Sequence, residues 1–433
     1  MTAMITRSDL LTAFANSMIF IYQHKLLSSV VFISLSIYFT YHLVFSASTL
    51  FHVALMSGIC LYLAYYWMFH VQKPDIYCQE AFRRFLECHC PTAFSVYYPT
   101  VWTVGGHVRS FSRGFIQRRL PVQYERETVK LADGGTLCLD WTKPSKQQTN
   151  GSTKIVLFMA GLTGGSKENY TTRICHKANE LGYTAVVMNN RGCADTPLTT
   201  PMTYCATVTA DLQAVLSVIH KRYPNCPVFI VGISLGGVLA TQYLCKSGES
   251  GNDAGVVGVL SVSAPFDCMT TSLQLELPLS LVTFNYFLTS QLVRNLHQNI
   301  DIFKKADGLT FDIDAVVQVK TLAEFDEKLV VPMFGYNDRF EYYMDASTSE
   351  RLKHISVPYL AMNAGDDPFA PHFALPTQQF TSSQYTALLT TTAGGHIGFA
   401  DSIWPSGPTL VDKIFAEFST ACFEHGNELK AVN

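Results

Sequence analysis

The sequence predicts an α/β protein: a mostly parallel sheet covered by helices, with a helical cap inserted into it and an apolar N-terminal segment in front. Three observations indicate this architecture. Short continuous apolar runs recur after residue 120, separated by stretches of helical length, as in strands buried on both faces of a parallel sheet. Residues 266–350 interrupt that alternation with Leu- and Phe-rich helical sequence. A long run near the N-terminus carries no Lys, Arg, Asp or Glu.

The N-terminal segment is long enough to cross a membrane. The uncharged run covers residues 26–72, and about 20 apolar residues form one helical span. It divides into 27–45 and 50–69, so it can hold one span or two. It is also far longer than the roughly 7–15 residue core of a cleaved signal peptide. We therefore expect residues 1–74 to be an uncleaved signal anchor, while the flanking charges leave open which side the rest of the chain faces.

Composition excludes several other classes of protein. Charged residues make up 15% of the chain, against about 25% in a typical soluble protein. The net charge is −3 and no block of like charges occurs, so no nucleic-acid partner is expected. Of the 12 cysteines only Cys88 and Cys90 lie close together, as CHC. No second pair with metal spacing follows, so neither a zinc knuckle nor a disulfide framework is predicted.

The remaining elements follow in chain order. Residues 75–120 are expected to form an aromatic, partly basic juxtamembrane segment, and 121–433 the catalytic domain. Residues 122–131 and 136–142 alternate polar and apolar around Asp133-Gly134-Gly135, which predicts an antiparallel hairpin. The predicted buried strands are 155–159, 184–188, 228–232, 256–262, 359–362 and 386–389.

A nucleophilic serine is predicted at Ser234. It lies in Gly232-Ile233-Ser234-Leu235-Gly236, directly after an apolar strand and directly before a helical run. A serine nucleophile has to project from a sharp strand-to-helix turn, and glycines on either side allow that close packing. The GxSxG pattern alone is common, so the fitting flanks carry the prediction.

An acid and a base follow in the required order. Asp367 comes just after the 359–362 strand and opens a D-x-x-x-P turn, and His396 follows the 386–389 strand within Gly-Gly-His. Both come at the carboxyl ends of predicted parallel strands, where such sheets carry their active sites. We expect Asp367 to orient His396; the neighbouring Asp366 is the alternative acid. Asp401 forms an HxxxxD pattern with His396, but His70 and Asp75 repeat it without any catalytic context.

The backbone N–H groups of Leu235 and Leu162 are the predicted oxyanion-hole donors. Leu235 follows the nucleophile, and Leu162 lies in the Gly-rich loop after the 155–159 strand. A serine, an acid and a base with two such donors make an acyl-transfer site of the α/β-hydrolase fold. No metal or organic cofactor is expected.

The chain from Tyr65 to its end resembles the membrane-anchored abhydrolase-domain-containing family, also called AB-hydrolase type 4. The matching pieces are YYW (65–67), QKP (72–74), YYPT (97–100), GLTGGS (161–166), NNRG (189–192), KRYP (221–224), GISLGG (232–237), EFD (324–326), FGY (334–336), NAGDDPF (363–369) and GGHIGF (394–399). The resemblance implies a carboxylesterase, acylglycerol lipase or phospholipase with a single N-terminal anchor, placed here on residues 50–69. Ala160 departs from the family's usual His or Pro.

We therefore expect a membrane-bound serine hydrolase of lipid acyl esters, such as phospholipids or acylglycerols, in the endoplasmic reticulum or another endomembrane. A membrane acyltransferase using the same serine and a non-catalytic receptor or scaffold are the alternatives. A single pass is favoured, with two passes left open. No protein partner can be inferred. Leu277 and Leu281 in the apolar cap are expected to hold the acyl chain.

Overall fold

The structure is a computed structural model that describes residues 31–38, 40, 49–144, 152–250, 255–401, 403–404 and 407–429. Its chain divides into two compact units, residues 1–70 and 71–433.

The first unit contains one long apolar helix, α1, at Thr49–Phe69. Among the described residues it is the one helix long and apolar enough to cross a membrane, over Phe51–Phe69 with a mean hydropathy of 1.3. At 1.5 Å per residue α1 is roughly 31 Å long, close to the roughly 30 Å hydrocarbon core of a bilayer. Residues 31–38 are also helical, and Ser36 Oγ lies 2.9 Å from Cys60 Sγ of α1. The rest of the predicted 27–45 segment lies outside the described residues.

The second unit is built on a nine-stranded sheet with the order β1-β9-β8-β7-β6-β4-β5-β3-β2. Its strands, in chain order, are β1 Asp75–Cys78, β2 Glu125–Lys130, β3 Thr136–Trp141, β4 Ile155–Met159, β5 Thr184–Asn189, β6 Val228–Ile233, β7 Val256–Val262, β8 Tyr359–Ala364 and β9 Thr386–Thr391. The six strands β4 to β9 are parallel, and antiparallel strands pair at both ends of the sheet. The predicted hairpin (β2 and β3) and the six predicted buried strands are confirmed.

The helices of this unit cover both faces of the sheet and form the cap. They are α2 Glu80–His89, α3 Gly105–Ile116, α4 Asn169–Glu180, α5 Ala210–Arg222, α6 Leu235–Ser250, α7 Cys268–Leu275, α8 Pro278–Ser280, α9 Tyr286–Gln298, α10 Ile300–Lys304, α11 Ile313–Val316, α12 Leu322–Phe325, α13 Val331–Phe334, α14 Arg339–Ala346, α15 Thr377–Ser382 and α16 Leu410–His425. One apolar core joins α2, α4 and α16 to the sheet, and a second core joins α5, α6 and α15 to the opposite face. The strands of the sheet centre are therefore buried on both sides, which is why they read as continuous apolar runs.

The cap lies between β7 and β8, as predicted. It consists of the short helices α7 to α14, and two π-helical segments interrupt it at Leu281–Asn285 and Asp326–Val330. Leu292, Phe303 and Leu329 of the cap share one apolar cluster with Leu198 and with Val238 of α6. The cap is therefore packed onto the body of the catalytic unit.

The sequence predicts a separate juxtamembrane segment for residues 75–120, whereas the structure has this stretch within the second unit. Asp75–Cys78 is β1, which pairs antiparallel with β9 at the edge of the sheet. Phe82, Phe85 and Leu86 of α2 are buried in the core against the sheet. A four-residue edge strand has no periodicity long enough to be recognised in the sequence.

Candidate active site

Ser234 lies in a strained turn between β6 and α6. Its φ is +52°, a left-handed conformation that a non-glycine residue adopts at a cost of about 1–3 kcal/mol. A Cβ atom at Gly232 would come within 2.6 Å of the Gly236 carbonyl oxygen, and one at Gly236 within 2.2 Å of the Met159 carbonyl oxygen. Both glycines are thus required by the tight packing of the turn, and Ser234 is held at the carboxyl edge of the sheet.

The structure brings Ser234, His396 and Asp367 together. The Ser234 Oγ lies 2.9 Å from His396 Nε2, and His396 Nδ1 lies 2.9 Å and 3.1 Å from the two oxygens of Asp367. With the proton on Nδ1, the imidazole donates to Asp367 and its free Nε2 accepts the Ser234 hydroxyl proton. Asp367 and His396 are 2% and 8% exposed. These contacts form an unbroken hydrogen-bond chain from a buried carboxylate to a hydroxyl.

The two adjacent carboxylates have different partners. Asp367 Oδ1 also accepts the Phe369 N–H at 2.8 Å, which fixes the carboxylate in its turn. Asp366 accepts the N–H groups of Gly394 and Gly395 at 2.8 Å each, and the guanidinium of Arg109 donates to its other oxygen. Asp366 therefore holds the loop that carries His396, while Asp367 contacts the imidazole itself.

Three further side chains position His396, and two of them, Ser110 and Ser263, carry no signal in the sequence. The backbone N–H of His396 donates to Ser110 Oγ at 2.7 Å, and that of Ile397 donates to Ser263 Oγ at 2.9 Å. The Phe369 ring stacks on the imidazole with centroids 3.8 Å apart. Ser110 is 286 residues from His396 in the chain, so no local pattern could link them. The one sequence signal was Phe369 within the NAGDDPF piece.

The predicted oxyanion loop lies beside Ser234. A Cβ on Gly161 would stand 3.4 Å from the Ser234 Cβ, and Leu162, Ser234, Leu235 and His396 line the same cavity. Leu235 begins α6, where the first N–H groups of a helix have no partner within it. In the described part of the chain neither the Leu162 nor the Leu235 N–H donates to another protein group. Both donors are thus available to a developing oxyanion.

Side chains from outside the loop hold it in place despite Ala160. The Tyr204 hydroxyl accepts the Thr163 N–H at 3.1 Å, and Asn189 Oδ1 accepts the Ser166 N–H at 2.9 Å. Thr163 has a φ of +62°, so this anchoring stabilises a second strained residue. Ala160 itself is buried in the core.

A cavity of about 660 Å³ extends from Ser234 beneath the cap. Its apolar lining comes from the cap and from the sheet edge, and includes Leu198, Val238, Leu275, Phe284, Phe287, Leu288, Leu292, Leu296, Phe325 and Val330. Leu277 and Leu281, the predicted acyl-chain contacts, are not among the lining residues. Leu277 precedes α8 and is 51% exposed, and Leu281 begins the π-helical segment and is half-buried.

Two acidic residues, Glu168 and Asp326, also line the cavity. Asp326 accepts a 2.8 Å hydrogen bond from the Tyr343 hydroxyl. Burial raises the pKa of Asp326 to about 7, although the Tyr343 hydroxyl acts in the opposite direction. The charge on this cavity wall therefore changes close to neutral pH.

Asp401, the other half of the HxxxxD pattern, pairs with Lys413. His396 directs its two nitrogens to Ser234 and Asp367. The pattern therefore does not correspond to a pair of interacting side chains.

Fold and site together define a serine ester hydrolase with the α/β-hydrolase fold. Comparison with known proteins agrees: residues 151–384 match the Hydrolase_4 family, described as "Serine aminopeptidase, S33". The human protein named Phospholipase ABHD3 is 39% identical over 382 residues, covering 87% of this chain and 92% of that protein. The Saccharomyces cerevisiae protein named Monoacylglycerol lipase is 32% identical over 257 residues, covering 59% of this chain and 56% of that protein. The chain belongs to the abhydrolase-domain family.

Proposed function

We propose that this protein is a membrane-tethered hydrolase that cleaves acyl esters of lipids, with Ser234 as its nucleophile. The observation that carries the proposal is the hydrogen-bond chain from Asp367 through His396 to Ser234, which ends in a largely apolar cavity. A nucleophile that opens onto such a cavity suits an ester with a long acyl chain. The names of the relatives, a phospholipase and a monoacylglycerol lipase, support the same substrate class.

In the proposed mechanism the acyl group passes through Ser234. His396 Nε2 takes the hydroxyl proton as Ser234 Oγ attacks the ester carbonyl, and the N–H groups of Leu162 and Leu235 bind the oxyanion. The tetrahedral intermediate then expels the alcohol, which receives the proton from His396. Water attacks the acyl-enzyme in the same way, giving the free acid and restoring Ser234. Asp367 stabilises the imidazolium in both steps.

We place the anchor of this enzyme in residues 1–74, as a single pass through α1. The length and apolar composition of α1 support this assignment. On the catalytic unit, exposed apolar side chains follow one another along the cap, and Phe287 among them also lines the cavity. The others are Leu273, Leu277, Leu279, Val282 and Tyr286. A lipid drawn from a bilayer would meet this apolar edge before it reaches Ser234.

The test combines a covalent probe with a substrate panel. A fluorophosphonate should label the wild-type protein and fail to label Ser234→Ala. The wild-type protein should release fatty acid from phospholipid or acylglycerol dispersed in detergent. If the probe labels Ser234 but no lipid releases fatty acid, the assignment of Ser234 as nucleophile stands and the proposal of a lipid substrate is refuted. Acyl transfer to an added alcohol, faster than hydrolysis at equal substrate, would favour the acyltransferase; Asp401 gives that alternative no support, since it pairs with Lys413.

A further inference from the structure

Three side chains that commonly bind metals meet at a point where two helices end. His89 is the last residue of α2, His425 is the last residue of α16, and Glu428 follows within the next turn. The Nε2 of His89 and the Nδ1 of His425 each lie 3.0 Å from a different oxygen of Glu428. The three donor atoms all lie within 4.8 Å of one another. The proposed hydrolytic chemistry uses none of them.

We propose that His89, His425 and Glu428 bind a single Zn²⁺ ion that fastens the C-terminal helix of the chain to α2. Two imidazole nitrogens and one carboxylate oxygen are a donor set that zinc prefers, with water completing a tetrahedron. At metal–ligand distances of about 2.0–2.1 Å, two ligand atoms of a tetrahedral ion are about 3.3 Å apart. The nitrogen–oxygen distances of 3.0 Å are already close to that spacing.

The two rings have to turn when the ion binds. They are stacked with centroids 4.2 Å apart and planes 15° from parallel, whereas a zinc ion has to lie in the plane of each imidazole that binds it. Rotation about χ2 of histidine is soft. The side chain of His425 is 41% exposed and can rotate freely, whereas that of His89 is 19% exposed and would turn against the Phe85 ring, whose centroid lies 5.0 Å away. Glu428 is more exposed still and can follow.

The electrostatic surroundings of the three side chains favour a bound cation. A helix C-terminus carries a partial negative charge, and α2 and α16 both end at this site. The Glu428 carboxylate contacts both rings and brings a further negative charge. Cys90 is buried, and neither cysteine of the CHC sequence belongs to this cluster of donor atoms.

The ion would act on stability. α2 and α16 pack through buried aromatic rings, with Phe82 and Phe418 centroids 6.2 Å apart. His89 and His425 extend the same contact to the surface. An ion that binds the folded state and not the unfolded chain raises the melting temperature with its concentration. Because the two helices are far apart in sequence, the ion would link the beginning of the catalytic unit to its end.

The experiment uses the full-length protein in detergent, purified with a tag free of histidine and stripped with a chelator. After equilibration with Zn²⁺ and removal of free metal, we expect about one equivalent of zinc per chain and a rise in Tm of a few degrees. Co²⁺ should give the visible absorption of a tetrahedral site. His89→Gln, His425→Gln and Glu428→Gln should each lower zinc affinity at least about tenfold, because each removes one of three ligands.

The matched control is His176→Gln. His176 lies 3.3 Å from Glu180 on the surface of α4, and in the described part of the chain no third metal ligand joins this histidine–glutamate pair. This variant should bind zinc as the wild type does. Each variant is also assayed on a short soluble ester. Turnover of this ester shows that the site around Ser234 is folded. No zinc retained by the wild type, or equal loss in the control and the ligand variants, would overturn the proposal without touching the hydrolase assignment.

Discussion

Ser234 combines two features that a structural serine does not need. Its φ is positive, and glycines lie two residues before and two residues after it, at positions where a Cβ would clash with the backbone. The turn therefore keeps the Ser234 hydroxyl at the edge of the sheet. We expect Ser234→Ala to lower kcat by roughly 10⁴–10⁶, since only binding and oxyanion stabilisation remain. Expression and melting temperature should stay close to wild type. Retention of more than a tenth of the turnover would refute the nucleophile assignment.

Replacing each of the two neighbouring carboxylates should lower the catalytic rate by a different amount. Asp367→Asn should lower kcat by about 10⁴, because the imidazole loses the acceptor that fixes its tautomer. Asp366→Asn keeps an oxygen that can accept from Gly394 and Gly395 but weakens the ion pair with Arg109. We expect a smaller loss of rate there, together with a lower Tm. Steady-state kinetics and thermal unfolding of both variants test this, and a larger loss of kcat at Asp366 would reverse the assignment.

At the residue scale the sequence predicted those positions that carry a local pattern. Ser234, Asp367 and His396 each follow a strand and sit in a short motif, so their convergence could be deduced from the parallel sheet. The choice of Asp367 over Asp366 came from its place at the start of a D-x-x-x-P turn. Arg109 and Ser110 could not be found, because a contact across more than 250 residues depends on how α3 packs.

We propose that the cap is the element that selects the acyl group of the substrate. Leu275 and Leu288 line the cavity, whereas Leu277 and Leu281 do not. Each buried CH₂ contributes about 0.8 kcal/mol, so four buried methylenes contribute about 3 kcal/mol, or roughly two hundredfold in kcat/KM. We expect kcat/KM on p-nitrophenyl esters to rise steeply from acetate to octanoate. The double change Leu275→Ser and Leu288→Ser should flatten that slope more than it lowers the rate on acetate.

The double change Leu277→Ser and Leu281→Ser is the matched control for the cap. It removes as much apolar surface from the same stretch of chain without altering the cavity wall, so the chain-length slope should persist. An equal flattening by both pairs would mean that the slope reflects detergent or membrane binding by the cap. If the wild-type enzyme preferred the acetate ester, the proposal that the cavity holds a long acyl chain would be refuted.

At the scale of helices and strands, the sequence predicts best those elements that are buried on both faces and long enough to show a pattern. The central strands are covered on both faces and give continuous apolar runs, and their predicted bounds differ from β4 to β9 by at most two residues. The cap could be located but not resolved, since helices of three to five residues have too few turns to show a period. The π-helical segments of the cap are not recognisable in the sequence, and the cavity lining does not support the expectation that Leu277 and Leu281 hold the acyl chain.

The stability of the whole catalytic unit should depend on the ionisation of Asp326. Burial raises its pKa from 3.8 to about 7, so between these values the native state binds more protons than the unfolded chain. Stability contributed by this carboxyl is therefore present at low pH and lost as pH rises towards 7. From pH 5 to pH 8 the free energy of unfolding should fall by up to about 2–3 kcal/mol through this group.

Asp326→Asn isolates that contribution. The amide oxygen can still accept from the Tyr343 hydroxyl, but the side chain no longer titrates. Urea unfolding of both proteins at several pH values gives the difference in their free energies of unfolding. That difference should shift in favour of the variant as pH rises to 8. A constant difference across the range would show that Asp326 titrates far from neutrality.

The division of the chain into two units leads to a prediction about where the enzyme works. All nine strands and the proposed catalytic residues belong to residues 71–433, and α1 belongs to the first unit. Deleting residues 1–70 should therefore leave kcat/KM on a short soluble ester within about threefold of wild type. On lipid embedded in vesicles the rate should fall at least tenfold, because a tether holds the enzyme at a high effective concentration near its substrate.

Detergent micelles provide the control for this deletion. In a large excess of detergent the anchor and the lipid substrate lie mostly in different micelles, so the anchor no longer holds the enzyme near its substrate. The truncated and full-length proteins should then hydrolyse lipid at similar rates. Sedimentation with vesicles separates binding from catalysis, and the truncated protein should remain largely in the supernatant. If it sediments as the full-length protein does, the exposed apolar edge of the cap around Phe287 is sufficient for attachment. If it is folded yet inactive on the soluble ester, the first unit contributes to the active site and the separation into anchor and enzyme is wrong.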